Sequence, residues 1–193
     1  MSSILDDNER MNHGLSRRRF LSVGILTLAS GMAPHLCLAA VKMSSFPKRT
    51  LSFYNTHTGE SLDATYWADG KYLAPALSDI NRILRDHRSG DIKPINTRLL
   101  DLLYAMKVKL RPRHAFHIVS GYRSPGTNAL LRAKNGGVAK NSYHMKGKAI
   151  DIRVPGCPLP EMNRTAKGLR AGGVGYYPRS DFIHVDVGPV RSW

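Results

Sequence analysis

The 193 residues provide room for one domain with an ordinary hydrophobic core, so the chain does not need a disulfide or a structural metal to fold. With 29 Lys and Arg against 14 Asp and Glu, the formal net charge is +15 at pH 7, which attracts polyanions such as nucleic acid, anionic membranes or an acidic cell wall. The sequence has no zinc-finger spacing, no aromatic RNA-reading signature and no run of more than three basic residues, so we expect no nucleic-acid partner.

The first 40 residues are interpreted as an export signal. Residues 16–21 read Ser-Arg-Arg-Arg-Phe-Leu, and a mostly apolar run follows at residues 21–33. That run is too short to span a bilayer stably and has the length of a signal-peptide core. Because the arginines stand directly before Phe-Leu, the segment resembles a twin-arginine signal, which exports folded proteins. We expect cleavage near residue 39 or 40, which leaves residues 41–193 as a mature domain that does not span the membrane.

The two cysteines, Cys37 and Cys157, predict no internal disulfide. Cleavage of the signal removes Cys37, so the mature chain keeps one thiol despite its oxidising destination. Leu36 before Cys37 argues against a lipid-attachment cysteine, for which a small preceding residue is expected. Cys157 lies in a Pro-Gly-Cys-Pro turn, where we expect it to be structural.

The first half of the mature chain is predicted to form a β-hairpin and two helices. Apolar residues spaced by two predict strands within residues 50–67, around the turn-forming Thr-Gly-Glu at 58–60. Apolar residues at helical spacing from residue 77 predict a helix that Ser89-Gly90 ends. Asn96 is predicted to cap a second helix, which Pro112 breaks and whose apolar face is Leu99, Leu100, Leu103 and Met106.

The second half is predicted to contain three strands and two short helices. Together with the first half, they predict a single α+β domain with a small antiparallel sheet and flanking helices. Residues 172–177, Gly-Gly-Val-Gly-Tyr-Tyr, are interpreted as a turn lining a cleft, because no strand-to-helix context of a phosphate loop surrounds them. The strands are expected at 115–120, 149–154 and 182–187, and the helices at about 128–134, before Gly136-Gly137, and at 160–170.

Two of these strands carry polar residues opposite their apolar residues. Asp151 lies between two isoleucines, and His184 and Asp186 alternate with Ile and Val in the last strand. If both polar faces look into one cleft, Asp151 and His184 can meet there. His144, seven positions before Asp151, is far enough away to fold back over them.

A His/Asp/His set of this kind is a suitable zinc site. Three nitrogen and carboxylate ligands leave the fourth tetrahedral position for water. The metal lowers the pKa of that water and polarises a carbonyl, which permits amide hydrolysis without a covalent intermediate. Each residue alone is more often an ordinary polar side chain, so the prediction of one Zn²⁺ per chain on His144, Asp151 and His184 depends on the combination.

Three ordered motifs resemble those of the zinc peptidases that include the D-Ala-D-Ala peptidases and the lysostaphin- and hedgehog-like proteins. They are Ser-Gly-Tyr-Arg-Ser at 120–124, the spacing His144-x6-Asp151, and His184-Val-Asp186. Residues 120–128, 137–144 and 170–178, with the signal, more narrowly resemble the murein endopeptidase K family over essentially the whole chain. The resemblance implies a D-Ala-D-Ala peptidase-like fold with these three zinc ligands.

The resemblance also implies a function. The chain is expected to be a periplasmic endopeptidase that hydrolyses cross-links between peptidoglycan stem peptides during cell-wall expansion and remodelling. The cleaved bonds would be D-Ala to diaminopimelate, diaminopimelate to diaminopimelate, or both. A cationic surface suits an anionic wall. Whether a scaffold lipoprotein recruits the enzyme is left open, and so is the oligomeric state.

The family pattern implies roles for residues near the metal. Arg123 falls on the S-x-Y-R motif, where an arginine contacts substrate and stabilises the developing oxyanion. Ser120 and Tyr143 are expected to support substrate binding. Many relatives place the general base, a Glu, three residues before the last ligand, and Asp181 occupies that position here with a shorter side chain. Asp181 is preferred, with Asp186 as its rival.

Asp186 is the rival because alternation places it on the face of His184. There it could take a proton from the water or orient a ligand imidazole. Two other functions are compatible with the sequence. One is a D,D-carboxypeptidase that trims stem peptides with the same chemistry. The other is a wall-binding module without turnover, against which the presence of Asp181 and Asp186 argues.

Overall fold

The computed structural model describes residues 47–134 and 137–193, and the interpreted export signal lies outside these residues. Within them, eight strands form one sheet that is accompanied by four α-helices and two 3-10 turns. The strands are β1 (Arg49–Asn55), β2 (Ser61–Ala68), β3 (Lys71–Tyr72), β4 (Phe116–Ser120), β5 (Ala149–Arg153), β6 (Gly173–Tyr177), β7 (Phe182–Asp186) and β8 (Arg191–Ser192). The helices are α1 (Ala74–Ile83), α2 (Thr97–Leu110), α3 (Pro125–Lys134) and α4 (Leu159–Leu169), and the 3-10 turns span Tyr143–Lys146 and Pro178–Ser180.

The sheet has the strand order β3-β2-β1-β4-β5-β7-β6-β8. Most neighbouring strands are antiparallel, but β1 pairs with β4, and β6 with β8, in parallel. The first parallel pair is possible because β2, β3, α1 and α2 intervene and return the chain to the same end of the sheet. The predicted α+β class is confirmed, but the sheet is larger than expected and is mixed rather than antiparallel throughout.

Local patterns in the first half are confirmed. Strands β1 and β2 form the predicted hairpin, with Phe53 opposite Leu62. Asn96 caps α2, since its side-chain oxygen accepts the N–H of Arg98 at 3.0 Å. Helix α2 ends at Leu110, and Arg111 follows in a left-handed conformation with φ of +46°. In the described residues no helix has the length and apolar character needed to cross a membrane.

Two helix ends differ from the prediction. Helix α1 ends at Ile83, before Ser89-Gly90, because the Leu84 carbonyl accepts the Tyr122 N–H at 2.7 Å instead of continuing the helix. Helix α3 begins at Pro125 rather than near 128, since the hydroxyl of Ser124 accepts the Thr127 N–H at 3.2 Å as a cap. Gly136, at the predicted end of α3, lies outside the described residues.

The glycine-rich segment interpreted as a turn is instead strand β6, which lies between β7 and β8. Its glycines are required by close approach. A Cβ at Gly173 would collide with the side chains of Asp186 and Arg191, and one at Gly175 would lie 2.8 Å from the ring of Trp193. The strand therefore has a glycine-rich composition that is more typical of a loop.

One hydrophobic core lies on the helix-covered face of the sheet. Strands β4, β5 and β7 and helix α4 agree with the prediction to within one residue at each end, whereas β8 was not predicted. The core combines the predicted apolar face of α2 with the inward residues of the central strands, which are Leu51, Phe53, Phe116, Ile118, Ile150, Ile152, Ile183 and Val185. This core holds β4, β5 and β7 in register, which fixes the positions of the polar residues on their other face.

Candidate metal centre

Four neighbouring strands place a row of residues on one face of the sheet. Ser120 pairs with Asp151, Asp151 with His184, and His184 with Gly175. Residues directly opposite each other in adjacent strands share a face, and the apolar neighbours of Asp151 and His184 point into the core instead. The polar faces of the two strands therefore line one cleft, as the predicted meeting of Asp151 and His184 requires.

His144 reaches this row from the 3-10 turn Tyr143–Lys146. At the start of the turn, the hydroxyl of Ser142 accepts the His144 N–H at 3.3 Å. Gly147 ends the turn with φ of +61°, and a Cβ there would collide with the carbonyl oxygen of Pro94. The tight turn thus requires glycine, and it directs the His144 imidazole over Asp151.

Three side-chain atoms converge above the row. Asp151 Oδ1 lies 2.8 Å from His184 Nδ1 and 3.2 Å from His144 Nε2, and the two nitrogens are 3.2 Å apart. All three residues are buried, with exposures of 3% for His144, 7% for Asp151 and 9% for His184. Among residues 47–134 and 137–193, this is the one cluster of His, Cys, Asp or Glu side chains that fits a metal ion. Its nitrogen and carboxylate donors are those of three-ligand catalytic zinc sites.

The outer nitrogen of each imidazole already has a partner. His144 Nδ1 lies 2.8 Å from the carbonyl oxygen of Gly121, which can only accept, so Nδ1 carries a proton. His184 Nε2 donates to Asp186 Oδ2 at 3.0 Å. When both imidazoles are neutral, their inner nitrogens present lone pairs to each other and to Asp151. Three electron-pair donors at these distances require a positive charge between them, and a metal ion fits that requirement.

The pKa values of the cluster reflect the same requirement. Burial lowers the pKa of His184, but the hydrogen bonds to Asp151 and Asp186 outweigh burial and raise this pKa to about 8. Burial raises the pKa of Asp151, but the charges and hydrogen bonds of both histidines hold it well below its usual range. A bound metal ion would replace the proton on His184 Nδ1, since an imidazole must be unprotonated to act as a ligand.

Asp186 lies at the nitrogen of His184 that points away from Asp151. It is fully buried, and its Oδ1 accepts the N–H groups of Gly173 at 3.1 Å and Gly188 at 2.8 Å. Burial raises the pKa of Asp186, but hydrogen bonds from His184, Arg191 and these amides hold it well below its usual range. The carboxylate therefore stays ionised and is suited to orienting the imidazole.

Asp181, the preferred proton acceptor of the sequence, lies outside the cluster. It follows the 3-10 turn Pro178–Ser180 with φ of +51°, and its side chain is 66% exposed and pairs with Arg153 at 3.3 Å. Of the acidic side chains in the described part of the chain, Asp151 alone lines the pocket that contains the cluster. The structure thus brings the three expected ligands together, but brings neither Asp181 nor Asp186 into the pocket.

Arg123 and its neighbours form one side of the site. The guanidinium of Arg123 lies 3.3 Å from the Ser120 hydroxyl, 3.4 Å from Asn128 Oδ1 and 3.8 Å from Asp151 Oδ2. These contacts are long, and Nε has no hydrogen-bond partner among the described residues. Burial lowers the pKa of Arg123, which nevertheless stays charged because an arginine is not deprotonated in proteins. Arg123 therefore brings an incompletely paired positive charge beside the cluster.

The opposite side of the pocket includes Arg191 and Trp193, which the sequence patterns did not indicate. The cavity has a volume of about 690 Å³, and Tyr143, Tyr177, Arg191 and Trp193 line it. The indole N–H of Trp193 donates to the Tyr177 hydroxyl at 2.7 Å, and the indole lies 5.3 Å from the His184 ring. Strand β8 is two residues long, so no alternation could reveal it. No local sequence signal therefore pointed to Arg191 or Trp193.

Comparison with known proteins places the chain in a family. Residues 43–193 match the M15 peptidase family described as peptidoglycan L,D-endopeptidase MepK. The chain is 42% identical over 178 residues to the "Peptidoglycan L,D-endopeptidase MepK" of Escherichia coli K12, covering 92% of this chain and 97% of that protein. It is also 42% identical over 180 residues to the "Probable peptidoglycan L,D-endopeptidase MepK" of Haemophilus influenzae, covering 92% and 95%. No solved structure matches. The chain is therefore a metallopeptidase that belongs to the MepK family of peptidoglycan L,D-endopeptidases.

Proposed function

We propose that this chain is a zinc-dependent endopeptidase that cleaves peptide cross-links of peptidoglycan, with the L,D bond between two diaminopimelate residues as its preferred substrate. The observation that carries the proposal is the convergence of His144 Nε2, Asp151 Oδ1 and His184 Nδ1 in an open pocket. The relatives are named as L,D-endopeptidases, which supports an L,D bond as the substrate of this chain.

The three donors are proposed to hold one Zn²⁺. A zinc ion bound there would polarise the scissile carbonyl and activate a water molecule. The chain's own contribution is to keep the donors in place. Gly121 and Asp186 each accept the outer N–H of one imidazole, which fixes its tautomer and directs the free nitrogen inward. We propose this orienting role for Asp186, in preference to proton transfer, because the residue is fully buried behind His184.

Arg123 is proposed to bind the substrate carbonyl and to stabilise the negative charge that develops on its oxygen. Its guanidinium lines the pocket beside Asp151 and has hydrogen-bonding capacity left over. A fixed positive charge in a partly buried site interacts strongly with a developing oxyanion. Ser120 holds one end of the guanidinium, and Tyr143 lines the pocket wall. We propose a supporting role in substrate binding for both.

The substrate class is compatible with the shape and charge of the site. Stem peptides are extended and carry carboxylates, and the pocket is lined by basic and aromatic side chains such as Arg123, Tyr143, Tyr177, Arg191 and Trp193. The formal net charge of +15 would also draw the protein to an anionic wall.

We also propose that the protein acts in the periplasm after twin-arginine export, on the basis of residues 16–21 and the apolar run behind them. Replacing the three arginines at 17–19 with lysines keeps the charge, and should leave the precursor in the cytoplasm. Cell fractionation checks this, and periplasmic accumulation of the lysine variant would contradict the route. An envelope pull-down with the mature protein as bait tests whether a scaffold lipoprotein recruits it.

The decisive experiment is product analysis on defined muropeptide dimers. The mature protein, loaded with zinc, is expected to convert dimers joined between two diaminopimelate residues into monomers faster than dimers joined through D-Ala. Chelation should stop cleavage and zinc should restore it. Release of terminal D-Ala alone would show a carboxypeptidase instead.

The matched control for this experiment is His184→Ala. Removal of one ligand should lower cleavage by at least about 1,000-fold, since metal catalysis contributes several kcal/mol. Binding of the variant to peptidoglycan should persist. Unchanged cleavage by His184→Ala, or cleavage that chelation does not affect, would refute a zinc mechanism at this site. Binding by the wild type without any cleavage would indicate a wall-binding module.

A further inference from the structure

We infer that Arg191 is a positioning residue for the metal site, which acts through Asp186 to hold the imidazole of His184. The inference rests on the proposed zinc site. Arg191 lies in β8 and was not indicated by any sequence motif. Its loss is expected to weaken metal binding more than loss of an equivalent ion pair elsewhere in the sheet.

Arg191 and His184 share one carboxylate. The guanidinium of Arg191 donates to both oxygens of Asp186, from Nη1 to Oδ1 at 3.2 Å and from Nη2 to Oδ2 at 2.7 Å. Asp186 Oδ2 also accepts the Nε2–H of His184 at 3.0 Å. A bidentate Arg–carboxylate pair fixes the plane of the carboxylate as well as its distance from the guanidinium. The direction of Oδ2 toward His184 is therefore set partly by Arg191.

The two oxygens of Asp186 are not supported equally. The backbone amides of Gly173 and Gly188 both donate to Oδ1. Besides His184, Oδ2 receives a hydrogen bond only from Arg191 within the described residues. Without Arg191, the backbone would still hold Oδ1, but the oxygen that orients His184 would lose its second partner. The imidazole would then be less restricted in the direction that its Nδ1 presents to the metal.

The surroundings hold the guanidinium of Arg191 in this position. Its central carbon lies 5.3 Å from the ring centre of Tyr143 and 5.0 Å from that of Trp193. Nη1 also donates to the carbonyl oxygen of Pro189 at 3.0 Å. The absence of a side chain at Gly173 leaves the space that the ion pair occupies. Arg191 is thus preorganised before any metal or substrate binds.

These contacts distinguish Arg191 from Arg123, the other arginine of the pocket. Nη1 of Arg191 donates to two acceptors and Nη2 donates to one at a short distance, so most of the N–H donors of Arg191 are used within the protein. Arg123 has only long contacts. We therefore assign substrate contact to Arg123 and positioning to Arg191.

The test measures zinc affinity, by competition with a chromogenic chelator, for the mature protein and for Arg191→Gln. Loss of a residue that supports a metal ligand typically weakens affinity or activity by about 10–100-fold, and we expect a loss of zinc affinity in this range. When both proteins are loaded with zinc, the proton NMR signal of the His184 Nε2–H should also be shifted or broadened in Arg191→Gln relative to the wild type. A variant that binds zinc as tightly as the wild type, with an unchanged signal, would overturn the inference.

Arg49 supplies a matched control at the other end of the sheet. It pairs with Asp101 at 2.7 Å and lies near two aromatic rings, 4.9 Å from Trp67 and 5.9 Å from Tyr104. Arg49→Gln likewise removes an ion pair between an arginine and an aspartate, but one outside the metal site, so it should lower stability without changing zinc affinity. Equal losses of zinc affinity in Arg49→Gln and Arg191→Gln would show a general effect of stability and would overturn the inference.

A second variant covers the possibility that Arg191→Gln does not fold. Arg191→Lys keeps the charge but cannot bind both oxygens in one plane, so it should still bind zinc more weakly than the wild type. Wild-type affinity in the lysine variant would contradict the positioning role. If the wild type itself bound no zinc, the proposed function would fail, and that result is distinct from a wild type and variants that bind zinc equally.

Discussion

The two ends of the sheet bury different kinds of side chain. In β1 and β2 the buried face carries apolar residues such as Leu51, Phe53 and Tyr66, and the ion pair between Arg49 and Asp101 is only partly buried. In β5 and β7 both faces are buried. Isoleucines and valines lie on the core face, while Asp151, His184 and Asp186 are buried on the other.

The apolar end, β1 and β2, contributes mainly to stability, whereas the site end, β5 and β7, carries the residues suited to chemistry. Burial of apolar side chains stabilises the fold by about 1.5–3 kcal/mol for each fully buried residue. Burial of carboxylates and imidazoles is unfavourable unless each group is paired. At the site end each buried carboxylate and imidazole has partners, but the inner donors of His144, Asp151 and His184 still require a positive charge. The stability of the site end should therefore depend on bound metal, and the stability of the apolar end should not.

The largest effect that tests this comparison is expected from Phe53→Ala in β1. Phe53 is 1% exposed and packs near Phe116, with ring centres 6.4 Å apart. Loss of the ring should lower the free energy of unfolding by about 3–5 kcal/mol, as for other buried Phe-to-Ala changes. Urea denaturation measures this, with Ser52→Ala on the other face of the strand as control. Zinc affinity of the folded variant should equal that of the wild type, and a large loss would show that the two ends are coupled.

A smaller but more local effect is expected from Asp186→Asn at the site end. The change keeps the shape of the side chain but removes the charge that binds His184 Nε2–H and Arg191. Zinc affinity and kcat/KM should fall by about 10–100-fold. If Arg191 acts through Asp186, the double variant Asp186→Asn with Arg191→Gln should be little worse than Asp186→Asn alone. Additive losses would mean that Arg191 affects the metal by another path.

The ligands found from the sequence illustrate which signals are local. A period of two places Asp151 and His184 opposite apolar residues, and this pattern depends only on each strand and its core face. The helix cap at Asn96 could be predicted equally well, because the capping contact joins residues only two positions apart. For His144 the sequence offered only spacing and family resemblance, since its position depends on a 3-10 turn that Ser142 and Gly147 define.

The features that the sequence could not predict depend on contacts between distant segments. Strand β6 looked like a turn because of its glycines, yet those glycines leave space for Asp186, Arg191 and Trp193. Arg191 is 18 residues beyond Gly173 in the chain but pairs with it in the sheet. Family spacing favoured Asp181 near the metal, whereas the structure pairs this residue with Arg153 outside the pocket. Such relationships require the strand order, which no local pattern contains.

A pH-dependent effect is expected from His87, whose ring stacks on that of His57 with centres 3.7 Å apart. Burial, with the nearby charges of His57 and Arg88, lowers the pKa of His87 to about 4. An unfolded histidine has a pKa of about 6.5, so the unfolded chain takes up this proton first. The contribution of His87 to stability is therefore complete above pH 6.5 and is lost as the pH falls from 6.5 to 4.

The measurement for His87 is the melting temperature of the metal-free protein at pH 7 and pH 5. His87→Gln does not titrate, so its melting temperature should decrease less over this interval than that of the wild type. Chelator is present throughout, because protonation of the metal ligands would otherwise add its own pH dependence. Identical pH dependence in both proteins would show that His87 is not held neutral in the folded state.

The smallest effect is expected from Asp181→Asn, which completes the comparison of the two rival carboxylates at the ends of β7. Asp181 is exposed, and its pair with Arg153 should contribute less than about 1 kcal/mol to stability. Because its side chain does not line the pocket, kcat/KM should change by no more than about twofold, as expected for surface substitutions. A general base typically contributes about 10²–10⁴-fold to the rate, so kinetics on a muropeptide dimer separate the alternatives clearly. A loss of that size in Asp181→Asn, with zinc affinity unchanged, would mean that Asp181 leaves Arg153 and turns into the pocket when substrate binds.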